Sequence, residues 1–358
     1  MDDRQLEDLA AVAPAVLDAL ERLGFVTRYL NPPDLPQVLE AVGAPQAGLR
    51  AALGRLDAWP ESLAGLSGPL QAAGEAAILA FDDLHAFAGD LRQTYRALRH
   101  LTRAQEALYP LAPVLGPVNR FFLEPSMRDD EDLQSRLAGP RREDTGLAHI
   151  GDPGARGGFS MYVPETYTPD TAWPLVVALH GGSGNGRAFL WSWLRDARSH
   201  GAILIAPTAV GETWALTGPD LDTPNLRGMV ERVRAGWNID PSRQLLTGMS
   251  DGGTFSYVSG LEPNSPFTHL APVAAAFHPM LAQMADPDRL AGLPIHLAHG
   301  ALDWMFPIDM ARDAQQALTA AGAAVTYREI PDLSHTYPRE LNPRILAWLE
   351  ATPRPARG

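Results

Sequence analysis

Gln244-Leu245-Leu246-Thr247-Gly248-Met249-Ser250-Asp251-Gly252-Gly253 is the stretch on which the reading of this chain turns. Four residues of strand character run into G-x-S-x-G, the pattern of a serine held at a strand-to-helix turn. Physics sets the spacing. Such a serine needs small residues two places to either side, because the strand and helix backbones nearly touch there. The turn throws the Ser250 hydroxyl outward, and the N-terminus of the following helix points at the same spot. A glycine-rich turn with an incidental serine would look alike in isolation, so the rest of the chain has to decide.

Upstream, Leu179-His180-Gly181-Gly182-Ser183-Gly184-Asn185-Gly186 follows the apolar strand expected at 175–180. A glycine-lined loop can aim a backbone N–H at a developing oxyanion, beside the N–H of the residue after the serine. By position these donors are Gly182 and Asp251. The Asp251 carboxylate suits a helix N-terminus but not an oxyanion, so its side chain is expected to point away. Nucleotide readings of the loop fail on the letters. Arg187 stands at the last glycine of G-x-G-x-x-G, and Arg187-Ala188 stands where a P-loop needs Lys-Ser/Thr.

Downstream, Pro294-Ile295-His296-Leu297-Ala298-His299-Gly300-Ala301-Leu302-Asp303 reads as a strand ending in a turn with an acid. Ile330-Pro331-Asp332-Leu333-Ser334-His335 puts a histidine in the loop after the last strand. An acid can orient a histidine and stabilise its imidazolium, and the histidine can deprotonate a serine. The order Ser250, Asp303, His335 supplies all three parts. Asp332 is the rival acid, but it shares the histidine's own loop, whereas a strand-end turn can present Asp303 from the opposite wall.

With Ile239-Asp240-Pro241-Ser242-Arg243 ahead of the nucleophile strand, these blocks resemble the α/β-hydrolases. They are most similar to the phospholipase/carboxylesterase and polyhydroxybutyrate-depolymerase-like serine esterases. The resemblance implies an α/β-hydrolase fold over residues 146–358, preceded by an all-helical N-terminal domain at 1–145 that has no counterpart in minimal members. It implies a serine ester hydrolase with a small-molecule ester substrate and neither metal nor organic cofactor. An acyl-thioesterase, a prolyl-oligopeptidase-like peptidase, or a non-catalytic partner-binding protein on the same fold are the alternatives. The peptidase would need an accessory domain that filters peptides, and a helical N-terminal half does not look like a propeller.

The wider composition agrees. The chain has 358 residues, 46% of them hydrophobic and 20% charged, an ordinary globular balance that argues against global disorder. Its 29 basic against 42 acidic residues give a net charge of −13, which disfavours binding to nucleic-acid phosphates. Every basic residue is arginine, and there is no cysteine, so disulfides, thiolate nucleophiles and cysteine metal sites are excluded. No stretch approaches the ~20 apolar residues of a membrane span, and the acidic start lacks the basic region of a secretory signal; a soluble, cytoplasmic protein is expected.

After a linker at Gly139–Asp144, strands are expected at 159–163, 175–180, 202–206, 244–249, 270–277, 294–299 and 324–330, with helices at 223–236, 307–321 and 343–350 between many of them. Alternating strands and helices predict a mostly parallel sheet, and near-continuous apolar strands such as Leu175-Val176-Val177-Ala178-Leu179 predict one buried on both faces. Before the linker, helices are expected at 4–23, 36–57 and 117–137. Leu84, Phe87, Leu91, Tyr95, Leu98 and Leu101 mark one face of a single long helix. His180 and His299, each before a glycine, read as loop braces. Trp214, His278 and Trp304 are candidates to line the substrate pocket, with core packing the alternative for both tryptophans. No spacing of His, Asp and Glu resembles a metal site.

The helical N-terminal domain carries too much apolar surface for a flexible tail. It is expected to cap the catalytic domain and shape access to Ser250, with homodimerisation through its helices as the rival role. A chain beginning near Thr145 is therefore expected to show an altered KM and an altered chain-length preference on short and long esters. An unchanged profile, with a shift from dimer to monomer on sizing, selects the rival.

Overall fold

The computed structural model describes residues 1–86, 90–151 and 155–354. The polypeptide divides into two compact units, Met1–Ala138 and Gly139–Gly358.

The first unit is built of helices: α1 (Asp3–Arg28), α2 (Leu35–Val42), α3 (Gln46–Leu53), α4 (Ala64–Ala86), α5 (Leu91–Leu108), α6 (Gly116–Phe121) and α7 (Glu131–Ala138). Asp2 and Gln5 start α1 with a reciprocal capping box that satisfies two of its free N–H groups. Val12, Val16, Leu20 and Leu23 of α1 are buried, and the helix packs on α3, α4 and α5.

Three sequence expectations are corrected here. The single helix through 84–101 is two, because Asp90 is extended and caps α5 by accepting from the N–H groups of Arg92 and Gln93. Its buried face runs through Thr94, Ala97, Leu101, Ala104 and Leu108, which keeps Leu101 of the expected stripe but leaves Tyr95 exposed. Phe87 lies outside the described residues. The helix expected at 36–57 is split into α2 and α3 at Gly43, whose φ of 66° ends α2. The one expected at 117–137 is split into α6 and α7, with Pro125 opening a short turn between them.

The second unit holds one eight-stranded sheet: β1 (Gly146–Ile150), β2 (Phe159–Val163), β3 (Trp173–Leu179), β4 (Ile203–Pro207), β5 (Ile239–Met249), β6 (His269–Val273), β7 (Pro294–Gly300) and β8 (Ala324–Ile330). The order is β1-β2-β4-β3-β5-β6-β7-β8; β1–β2 and β2–β4 are antiparallel and the other pairs parallel. Its helices are α8 (Gly186–Phe189), α9 (Leu194–His200), α10 (Asp222–Gly236), α11 (Asp251–Gly260), α12 (Met280–Met284), α13 (Pro287–Leu290), α14 (Ile308–Ala320) and α15 (Asn342–Ala351). The residues expected to form a linker are tied to this unit. Arg142 bonds Asp144 at 2.7 Å and lies over the rings of Tyr167 and Trp237.

Register puts the site where it is. Leu179 pairs with Gly248, Gly248 with Pro272, Val273 with Ala298, and Gly300 with Ile330. The C-terminal ends of β3, β5, β6, β7 and β8 are therefore level. The loops leaving them all open on one edge of the sheet, where ligands bind in folds of this kind.

Candidate active site

Ser250 sits between β5 and α11 with φ 56° and ψ −122°, a left-handed backbone that a serine adopts only under constraint. Its N–H donates to Val273 O at 3.0 Å, which ties the turn to the end of β6. The flanking glycines are there for space. A Cβ on Gly248 would lie 2.5 Å from the Gly252 carbonyl, and one on Gly252 would lie 2.5 Å from both Leu179 O and His180 O.

The three candidate triad residues come together although they lie on separate loops. The Ser250 hydroxyl donates to His335 Nε2 at 3.0 Å, and His335 Nδ1–H donates to Asp303 Oδ2 at 2.8 Å. All three are buried, at 7%, 4% and 8% exposure for Ser250, His335 and Asp303. The other carboxylate oxygen of Asp303 accepts from the N–H groups of Met305 (2.9 Å) and Phe306 (2.8 Å). Asp332 is exposed, outside this relay.

The glycine loop approaches the same turn. A Cβ on Gly181 would be 3.5 Å from Ser250 Cβ, and one on Gly182 would be 2.8 Å from Asp251 Oδ2. Asp251 is the first residue of α11, so its N–H has no acceptor within the helix. The carboxylate lies against Gly182, where the Thr213 hydroxyl donates to it at 2.6 Å, an acceptor role that no helix-terminus argument anticipates.

Residues 224–351 match the phospholipase/carboxylesterase family. The second unit, a mostly parallel sheet flanked by helices, has the α/β-hydrolase fold, and these residues of it are similar to that family. A bifunctional acetylxylan esterase/xylanase from Neocallimastix patriciarum is 29% identical over 152 residues, 41% of this chain and 21% of that protein. The chain thus spans about a fifth of the length of this curated relative. Among solved structures, a thermostable esterase is 21% identical with a TM-score of 0.49, covering 59% of this chain and 64% of that one. A fluorophosphonate-binding serine hydrolase from Staphylococcus aureus is 16% identical with a TM-score of 0.46, covering 59% and 99% of the two chains.

Histidines brace the candidate site. His180 Nδ1–H donates to Gly181 O at 2.7 Å, while its Nε2 accepts from the N–H of Ala209 at 3.1 Å. Burial holds this imidazole down at about 4, against its bond to Gly181 O and the Asp251 charge, which work the other way. Trp214 is spent on the same loop and does not wall a pocket. It is 3% exposed, lies against His180 and Phe255, and donates Nε1–H to His180 O at 2.7 Å. His278 is exposed after β6, with Nδ1 accepting from the N–H of Met280. Trp304 is 45% exposed, its ring centroid 6.3 Å from that of His335, and the buried-side neighbour of His335 is Phe306, edge-on at 5.2 Å.

Sequence reasoning missed Phe306 and Thr213 as partners of the site. No signal marks Thr213, but Phe306-Pro307 directly after the acid turn places an aromatic ring beside it. Among the described residues there is no cluster of three metal-ligating side chains, and no helix is long and apolar enough to cross a membrane. A cleft of about 610 Å³ lined by Arg234, Trp237 and Asn264, among others, reaches Ile239 and Pro241 at the start of β5, the end opposite Ser250.

The buried histidines set a pH dependence. His180 and His269 are both held at about 4 by burial, but titrate near 6.5 once unfolded. Between those values the unfolded chain binds protons that the native one does not, so stability falls as pH drops from about 6.5 towards 4. For His180 alone the loss between pH 7 and pH 5 is on the order of 2 kcal/mol. Urea unfolding followed by tryptophan fluorescence is expected to show a lower midpoint at pH 5 than at pH 7; equal midpoints would refute it. Only Trp59 lies in the first unit, so the signal reports mainly the second.

Proposed function

We propose that this chain is a serine carboxylic-ester hydrolase that works through Ser250, His335 and Asp303 and an acyl-enzyme intermediate. One observation carries the reading: the buried relay from Ser250 Oγ to His335 Nε2 at 3.0 Å and from His335 Nδ1 to Asp303 Oδ2 at 2.8 Å.

In that reading His335 Nε2 takes the Ser250 proton as Oγ attacks the acyl carbon. Asp303, fixed by two backbone N–H groups, keeps the His335 proton on Nδ1 and favours the imidazolium that forms. The carbonyl oxygen, now negative, is held by the backbone N–H groups of Gly182 and Asp251, each donor of this kind being worth about 10²–10³ in rate. The close approach of the glycine loop to Ser250 and Asp251 supports their pairing. His335 then gives its proton to the departing alcohol, and water, activated by His335, releases the acyl group and regenerates Ser250.

The substrate side is open where Trp304 stands. Its half-exposed indole offers a flat apolar face beside His335, suited to an alcohol or acyl group with a planar or ring-shaped surface. Given the acetylxylan esterase among its relatives, short acyl esters of sugars belong beside the p-nitrophenyl esters in a first substrate panel. Acyl-thioesters suit the same machinery and belong in the panel as well.

Ser250→Ala is expected to lower kcat by at least about 10³-fold with the fold intact, since only oxyanion and binding effects are left. Retention of a tenth of the wild-type rate, or failure of a fluorophosphonate probe to label Ser250 in the wild type, refutes the assignment. Asp303→Asn is expected to cost about 10⁴ in kcat by favouring the wrong imidazole tautomer, and Asp332→Asn far less. The reverse ranking in steady-state kinetics would transfer the role to Asp332.

A further inference from the structure

The buried imidazole of His299 has no part in the steps above, yet it lies within reach of the acid. It is the penultimate residue of β7, its side chain has no exposed surface, and its Nε2 is 2.8 Å from Phe306 O and 3.4 Å from Asp303 Oδ2. We propose that His299 is a positioning residue of the triad. Its single N–H, on Nε2, clamps the turn at 303–306 by donating to Phe306 O and lies beside the carboxylate oxygen bonded to His335. The proposal deepens the serine-hydrolase reading and rests on it.

The tautomer follows from the partners. A carbonyl and a carboxylate oxygen can only accept, so the ring proton is on Nε2. The other nitrogen, Nδ1, is buried without a partner, and a second proton there would be stranded. The charged and titratable groups facing the ring are Asp303 and His335 at the site and Glu329, its register partner on β8, which is ion-paired to Arg312. Burial opposes protonation, His335 adds to that, and the bond to Phe306 O together with Asp303 and Glu329 favours the charge. Burial prevails and the titration is shifted down.

Two effects on His335 follow. Phe306 is gripped at both ends of its peptide: its N–H holds Asp303 Oδ1, its C=O accepts from His299, and its ring stands edge-on to His335. Loss of the His299 donor leaves a part-buried carbonyl without this partner and loosens the acid and the ring together. The N–H is committed to Phe306 O, and at 3.4 Å its dipole lies beside Oδ2 without a hydrogen bond to it. That dipole stabilises the carboxylate charge and so weakens its pull on a protonated His335. Without it the imidazolium forms more readily, and the acid limb of kcat/KM moves to higher pH.

The test compares wild type, His299→Leu and His299→Gln across pH 5–9 on p-nitrophenyl acetate. Glutamine can return an N–H near the position of Nε2, whereas leucine fills the space without a donor. His299→Leu is expected to lose up to about 10² in kcat with little change in KM. Its acid limb is expected to move up by about half a pH unit, and His299→Gln to recover most of both losses. A leucine variant whose kcat is unchanged, or whose rate falls with the acid limb fixed, overturns the proposal and leaves His299 a packing residue.

Should the leucine variant not fold by circular dichroism, ¹⁵N NMR of the wild type decides. His299 is expected to be an Nε2–H tautomer at pH 8, and an Nδ1–H tautomer there overturns the proposal. A wild type that neither hydrolyses esters nor accepts a fluorophosphonate defeats the hydrolase reading instead, while the tautomer experiment still reports on His299 independently of activity.

Discussion

A carboxylate whose side chain has no exposed surface must have its charge met from within, and Asp303 has four groups gathered around it. Met305 N–H and Phe306 N–H take one oxygen, while His335 and, at longer range, His299 face the other. Burial alone would push this acid up. The bonds from His335 and Phe306, with the nearby histidines, outweigh it and hold it below the usual carboxylate range. The need to satisfy one charge thereby joins the turn after β7 to the loop after β8. Ser250 meets a histidine already oriented.

The other half of the site is set by how closely backbones can pass. The end of β3, the turn after β5 and the start of α11 converge until only hydrogen fits at Gly248 and Gly252. This packing carries Gly181 and Gly182 up to Ser250 and Asp251. His180, neutral in its pocket, fastens the loop to Ala209 and, through its carbonyl, to Trp214. The main chain here cannot easily move, which is what the proposed oxyanion site requires of its donors.

Much of the second unit was legible in the sequence because its signals are local. The bounds of β2 and β8 match the expected strands, and α10, α14 and α15 fall within a residue or so of expectation. Ser250, Asp303 and His335 could be singled out because each follows a strand at a turn. β1 was missed because Gly146-Leu147-Ala148-His149-Ile150 is a half-buried edge strand with little alternation to see. Thr213 and Phe306 become partners of the site only through register and loop path, which no spacing reveals. In the helical unit, leucine and alanine are so frequent that an apolar stripe can be drawn along the wrong face. Asp90, a capping residue ahead of a helical pattern, was the better guide.

The backbone of Ser250 has one more implication. A non-glycine residue held at φ 56° and ψ −122° costs roughly 1–3 kcal/mol relative to relaxed chain, and glycine would escape most of it. The most comfortable occupant of this position is therefore one that cannot attack an ester. On the proposed mechanism, selection or engineering for heat tolerance alone favours the inert protein, and a demand for turnover keeps a hydroxyl there. Gains in robustness have to be sought away from this turn.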